Sequence, residues 1–290
     1  MARRLAAQPF ARRVAARAAE IAARAIAVAG RAPEVAVVVA TSQPDALLYV
    51  DRLLTQVRAT GLAGRRVDLG PGATESQIFA ALAELSADSN VAGVILQLPL
   101  PSGVSREIVV AAIAPTKDID GITSVNAERL AEGMYDPSLL PATAAAVMEL
   151  LRAYEIPLRG RPAAVVGRSA IVGRPVAQLL EIEGALVQVA HSKTPDLGLV
   201  TRAADVLVVA AGVRGLVRGE HVSPGAVVID VGIHPSGDTI VGDVDAPSVE
   251  ARLGETGGLS PVPGGVGQMT SAILALHAAE AAERLVRTRA

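Results

Sequence analysis

Apolar residues fall along this chain in two alternating patterns, short unbroken runs and longer stretches with helical spacing. Pro9 to Ala29, Asp45 to Thr60, Glu75 to Leu85, Val104 to Ile113, Asn126 to Ala131 and Thr143 to Tyr154 read as helices, with Thr143 as an N-cap. A last helix runs from Ser271 to Val286. Between them, Val35 to Val39, Arg66 to Leu69, Val91 to Leu98, Ala163 to Val166, Leu186 to Ala190, Val206 to Ala210 and Ala226 to Val231 read as strands. Most of these strands are apolar throughout, as parallel strands covered on both faces must be. The alternation predicts an α/β chain of two doubly wound domains around a cleft. The expected boundaries are 1–142, completed by a C-terminal helix over 269–290, and 143–268.

Composition narrows the function classes. A net charge of -2 offers no electrostatic footprint for nucleic acid. No apolar run is long enough to span a membrane. Without cysteine there can be no disulfide, thiol nucleophile or Cys-ligated zinc, which fits a cytoplasmic protein. Histidines at 191, 221, 234 and 277 have no metal-ligand spacing, so no metal is expected. Residues 1–33 hold seven arginines and a single acid, Glu20, a pattern that also suits an organelle transit peptide. Arginine dominates lysine everywhere, however, and the strand at Val35 follows at once without a spacer. A first structural helix is the preferred reading.

The segment from Ala163 to Pro175 carries the clearest chemistry. A buried strand enters a turn at Gly167 and leaves through the start of a helix, the arrangement that holds a dinucleotide pyrophosphate on backbone amides. The spacing is not G-x-G-x-x-G, so the loop alone is a weak signal. The end of the next strand strengthens it. An NAD site usually places an acid there for the ribose 2′-hydroxyl, whereas this chain has His191-Ser192-Lys193-Thr194. A hydroxyl and a cation, with Arg168 in the first loop, suit a 2′-phosphate. The second domain is therefore expected to be a Rossmann-type NADP domain.

Three more segments stand out. Gln97 ends an apolar strand, where a buried amide is costly unless bonded and where α/β sheets bind ligands. Asp118-Ile119-Asp120-Gly121 reads either as a turn whose acids accept local amides or as a carboxylate aimed at an aminopyrimidine edge. Pro261 to Thr270 joins rigid and permissive backbone ahead of a helix, which allows close approach to a ligand. Tyr49 is one of only five aromatic residues, so its place on a helix carries weight.

Six segments in order resemble the bifunctional methylenetetrahydrofolate dehydrogenase/cyclohydrolases: residues 93–101, 115–121, 167–173, 191–194, 230–233 and 261–267. The resemblance implies NADP, a tetrahydrofolate substrate and a homodimer in one-carbon metabolism. It assigns Tyr49, Gln97 and Asp120 as catalytic residues, with Tyr49 stacked on the folate. Leu98, Pro263, Gly264 and Gly265 join them as substrate contacts. Gly167, Arg168, Ser169, Ser192 and Ile233 become the cofactor contacts. The chain departs from the family pattern where a lysine is expected four residues after the tyrosine, at Leu53, and a serine three before it, at Ala46. Pro-Ala-Thr-Ala-Ala-Ala over 141–146 and Gln268 are further departures. Hydride transfer needs no protein acid or base, because nitrogen lone pairs carry the new charge. Water attack does involve proton transfer. The expectation is oxidation of methylenetetrahydrofolate with the cyclohydrolase step weakened. Two alternatives stay open: both activities with a substitute proton-transfer group, or a catalytically weak folate- and NADP-binding protein.

Overall fold

A computed structural model describes residues 2–237 and 239–288. The chain begins with β1 (Arg3–Arg4) and α1 (Gln8–Ala29), followed by β2 (Glu34–Val39), α2 (Pro44–Ala59), β3 (Ala63–Asp68), α3 (Glu75–Ala87) and β4 (Val91–Gln97). Next come α4 (Arg106–Val110), α5 (Ser124–Ala131) and α6 (Ala142–Ala153). The second half holds β5 (Pro162–Val166), α7 (Gly173–Ile182), β6 (Leu186–Ala190), α8 (Leu197–Thr201), β7 (Val206–Val209) and β8 (Val227–Asp230). A hairpin of β9 (His234–Ser236) and β10 (Thr239–Val241), then α9 (Ala246–Leu253), β11 (Gly258–Leu259) and α10 (Val266–Arg287) complete it. Two compact units result, one of residues 12–142 with 271–290 and one of residues 1–11 with 143–270.

In the unit containing residues 12–142, the sheet is parallel in the order β3-β2-β4. Val35 to Val39 are fully buried, which is why that strand shows no polar alternation. One face packs Ala36, Val38, Val94 and Leu96 against Ile78, Leu82 and Leu85 of α3. That helix starts at a capping box, where Thr74 Oγ1 accepts from the Gln77 amide at 3.3 Å and Gln77 answers the Thr74 amide at 2.8 Å. The arginine-rich first segment is the amphipathic helix α1. It buries Ala11, Val14, Ala18, Ile21, Ala22 and Ala25, while Arg17 and Arg24 reach Glu280 and Glu283 of α10 at 3.1 and 3.0 Å.

The other unit has a six-stranded parallel sheet, order β1-β11-β8-β7-β5-β6. After β5 the chain moves outward to β6, then returns to place β7 on the far side of β5. That reversal makes a topological switch point at the carboxyl end of β5. Its core includes Val166, Leu207, Val209, Val228, Val249 and Leu253.

The structure departs from the pattern reading in definable ways. Residues 1–11, expected with 12–142, pack with 143–270. There Arg3 and Arg4 pair with Gly258 and Leu259, and the Tyr154 hydroxyl donates to the Ala6 carbonyl at 2.9 Å. Thr143 is not an N-cap; α6 starts a residue earlier, where the Asp120 carbonyl satisfies the Ala142 amide at 3.2 Å. The helix expected over 104–113 contracts to α4. Ser105 Oγ caps its start, and the Ala112 and Ile113 amides turn back to carbonyls only three residues earlier. The short elements β1, α8, β9, β10, α9 and β11 were not anticipated.

Candidate functional site

The dinucleotide loop follows β5 at the switch point. Gly167 has φ of 120°, and a Cβ there would collide with the Ala210 carbonyl at the end of β7. Only glycine lets the two strand ends lie so close, and the same bare backbone is what a pyrophosphate needs. The Ser169 hydroxyl accepts from the Gly173 amide at 3.2 Å, which shapes the entry to α7. Arg168, Ser169, Ser192 and Lys193 are all exposed. Behind them, Thr194 Oγ1 accepts from the His191 amide at 2.9 Å and His191 Nδ1 accepts from the Lys193 amide at 3.1 Å. The structure thus gathers Gly167, Arg168, Ser169, Ser192 and Ile233 at the carboxyl ends of β5, β6 and β8 in one sheet.

Ile233 is 60% exposed, although it follows directly from a buried strand. Two buried acids hold it there. Asp230 accepts from the amides of Gly232, Asp243 and Val244 at 3.0–3.1 Å. Asp243 accepts from the amides of Ala211 and Gly212 at 2.7 and 2.8 Å, and its other oxygen lies 2.7 Å from His234 Nε2. Burial pushes the Asp230 carboxyl up to about 6, against the opposing effect of those three amides. Asp243 escaped sequence reading. Its one visible signal was a conspicuous acid in the Gly-Asp-Val-Asp run after the hairpin.

In the unit of residues 12–142, the two acids of the Asp118–Gly121 loop take opposite roles. Asp118 is fully buried and accepts from the amides of Ile122 and Thr123, the Thr123 hydroxyl and the Asn126 side chain, all at 2.7–3.0 Å. It is the turn residue. The Asp120 carboxylate accepts no hydrogen bond among the described residues, although its main-chain carbonyl takes the Ala142 amide at 3.2 Å. Gly121, with φ of 66° and no room for a Cβ against Leu140 and Pro141, turns the chain directly beyond it. Val94 and Asp118 form a parallel bridge that sets the loop beside β4, and the chain then turns over Ile119 and Asp120, where the Gly121 amide donates to the Asp118 carbonyl at 3.2 Å. Gln97 Nε2 donates to the Leu98 carbonyl at 2.6 Å.

Charge converges on this place. Desolvation raises the Asp120 carboxyl to about 7, Asp118 adds to the rise, and the Arg106 guanidinium opposes it. Arg106 Nε is itself buried without a hydrogen-bond partner among the described residues. Burial raises the Tyr49 phenol well above its usual value, with a further contribution from the Asp120 charge, while a hydrogen bond to Ser271 opposes both. Tyr49 is therefore a neutral hydroxyl at the pH of the cell. Tyr49, Gln97, Leu98 and Asp120 all belong to this unit, whereas Pro263, Gly264 and Gly265 belong to the other, in the loop before α10. There the Gly264 carbonyl accepts from the Ala7 amide at 2.8 Å.

Leu53 sits one turn beyond Tyr49 on α2 and is 1% exposed; Ala46, nearly one turn before, is also buried. Arg52 is exposed, as its rotation about the helix requires.

A parallel sheet with a glycine loop at its switch point, joined to a second α/β unit with a lone carboxylate, defines a dinucleotide-dependent oxidoreductase. Residues 5–120 match the catalytic domain of tetrahydrofolate dehydrogenase/cyclohydrolase, and residues 141–286 match its NAD(P)-binding domain. The chain belongs to this family. It is 50% identical over 251 residues to the bifunctional protein FolD of Nocardia farcinica, covering 86% of this chain and 87% of that one. Among solved structures, the bifunctional FolD of Campylobacter jejuni superposes with a TM-score of 0.91 at 34% identity, covering all of both chains. The Trypanosoma brucei enzyme, solved with NADP and an inhibitor, gives 0.92 at 33% identity, covering 100% of this chain and 99% of that one.

Proposed function

We infer that this protein oxidises 5,10-methylenetetrahydrofolate to the 5,10-methenyl compound with NADP as its cofactor. The observation that carries the reading is the presence of two family-typical features in one chain. One is the Gly167 loop beside an acid-free second strand end, and the other is Asp120, whose carboxylate accepts no hydrogen bond among the described residues and acts electrostatically on Tyr49, in the unit that also holds Gln97. Bound NADP⁺ supplies the hydride acceptor. The chain supplies placement: the Gly167–Gly173 amides take the pyrophosphate, Arg168 and Ser192 the 2′-phosphate, and Ile233 an apolar contact. Tyr49 offers its ring to the folate, Gln97 and Leu98 flank it, and Asp120 accepts N–H bonds from the pterin edge. Pro263, Gly264 and Gly265 contribute backbone. Positioning of this kind supplies most of what hydride transfer requires. The test is to mix the purified protein with methylenetetrahydrofolate and NADP⁺ and follow NADPH by absorbance. Tight binding of both without turnover would instead identify a catalytically weak binding protein.

Cofactor choice gives a separate test. Arg168→Ala should raise the KM for NADP⁺ about tenfold or more, the loss expected of one charge-assisted phosphate contact, and leave that for NAD⁺ nearly unchanged. Equal efficiency of the unaltered protein with both cofactors would exclude the 2′-phosphate reading.

The same reading includes a homodimer in the cytoplasm. No helix among the described residues is long and apolar enough to cross a membrane. Support for a dimer comes from β6, an edge strand paired only with β5, whose Leu186 and Val189 are 63% and 42% exposed. An open, apolar edge of this kind is a template for a second copy. Val189→Lys should shift the mass measured by light scattering from two chains to one. A wild-type mass of one chain would remove the dimer.

A further inference from the structure

We propose that His277 is a positioning residue for the folate reaction, fixing the loop that presents the Asp120 carboxylate. It lies on α10, 2% exposed, with Nδ1 2.9 Å from the Ile119 carbonyl. Burial lowers its imidazole to about 4, so the ring is neutral near pH 7. A carbonyl can only accept, so Nδ1 carries the ring proton and donates it.

The bond completes a set of restraints on the residues around Asp120. Asp118 is held by its ring of donors. The Ile119 side chain is fully buried and packs so tightly over Gly93 that a Cβ there would come within 2.8 Å of it. The Asp120 carbonyl accepts from the Ala142 amide, and the Leu140–Pro141 backbone closes over Gly121. His277 is the side chain that ties the peptide unit between the two acids to another element. Rotating that peptide would swing the next side chain, which is Asp120. The same helix reaches Tyr49 through Ser271, so α10 braces both Tyr49 and the acid loop. His277 touches no substrate in this arrangement; it acts through Asp120.

The inference rests on the reading that Asp120 holds the folate, and its test separates the two. His277→Leu keeps bulk and loses the donor, whereas His277→Asn keeps a short N–H. The leucine variant should raise the folate KM about tenfold with kcat within a few-fold and the NADP⁺ KM unchanged, and asparagine should restore most of the loss. In ligand-free protein, the carbon-13 titration midpoint of the Asp120 carboxyl should move by at least about half a unit in the leucine variant and return in the asparagine variant. If the leucine variant does not fold, His277→Gln, whose longer arm misplaces the amide, takes its place with the same expectations. An unmoved Asp120 midpoint with an unchanged folate KM overturns the proposal. So does equal damage in the leucine and asparagine variants. If Asp120→Asn leaves folate affinity intact while the midpoint still responds to His277, the folate reading fails and the positioning survives.

Discussion

Asp120→Asn is expected to weaken folate binding about 10- to 100-fold while making the protein more stable. The loss follows from replacing a carboxylate that accepts charge-assisted bonds with an amide of the same shape, a change worth about 1.5–3 kcal/mol. The gain follows from the titration of Asp120. Its carboxyl is raised to about 7 in the folded chain, mainly by burial, and returns to the ordinary range on unfolding. Between pH 4 and 7 the unfolded state therefore binds fewer protons, and the ionised group costs stability that grows as pH rises. Above pH 7 the cost is complete; below pH 4 it vanishes. Solvent access to this half-buried residue reduces it to about 1–3 kcal/mol. Urea denaturation at pH 8 should show the asparagine variant more stable, and at pH 4 the two should converge. For the unaltered protein, kcat/KM for the folate should fall on the acid side with a midpoint near 7, since that ratio reports the free enzyme. An asparagine variant with unchanged folate affinity would leave Asp120 as a second turn residue beside Asp118.

The second large effect concerns water. The unaltered protein should release methenyltetrahydrofolate as it makes NADPH, with hydrolysis far slower than oxidation, because a positioned proton-transfer group is worth roughly 10²–10⁴-fold. Leu53, where the resemblance implies a lysine, is fully packed. An ammonium introduced there enters a space shaped for an isobutyl group. Left unpaired it would cost about 3–5 kcal/mol of stability. Leu53→Lys alone is therefore expected to destabilise more than it restores. Adding Ala46→Ser places a hydroxyl on the same helix face, and the double variant should raise hydrolysis while oxidation stays within a few-fold. Following the methenyl compound and NADPH in one cuvette checks both. Efficient hydrolysis by the unaltered chain, with no gain from Leu53→Lys, would mean that another group moves the proton. Arg106 and a water on Gln97 are then the places to look.

Regular elements were legible in the sequence wherever burial was uniform. The β2, β4, β7 and β8 strands are apolar along their buried lengths, with polar residues only at an end, because both their faces are covered, and α1 shows its stripe despite its arginines. Elements set by tertiary contacts were not. A strand of Arg3 and Arg4 has no apolar signature; it exists because β11 offers an edge and Tyr154 anchors the segment. The acid loop shows the same division. Its motif announced two carboxylates, but only the hydrogen-bond pattern separates the buried hub from the free one. His277 was invisible for a similar reason, as its partner lies 158 residues away along the chain. The glycine turn after β5 was readable because strand, turn and helix start follow one another in the chain, whereas the clash with Ala210 that requires Gly167 is a tertiary contact.

The pairing of Arg3 with Gly258 has a consequence for how the chain is made. The first strand leaves the ribosome about 250 residues before its partner. At roughly 5–20 residues per second, it waits on the order of 10–50 s. The other unit waits as well, since it includes residues 271–290. Neither unit can finish before the final helix emerges. Through that interval the nascent chain carries two incomplete hydrophobic cores at once, the condition under which exposed apolar surface favours aggregation.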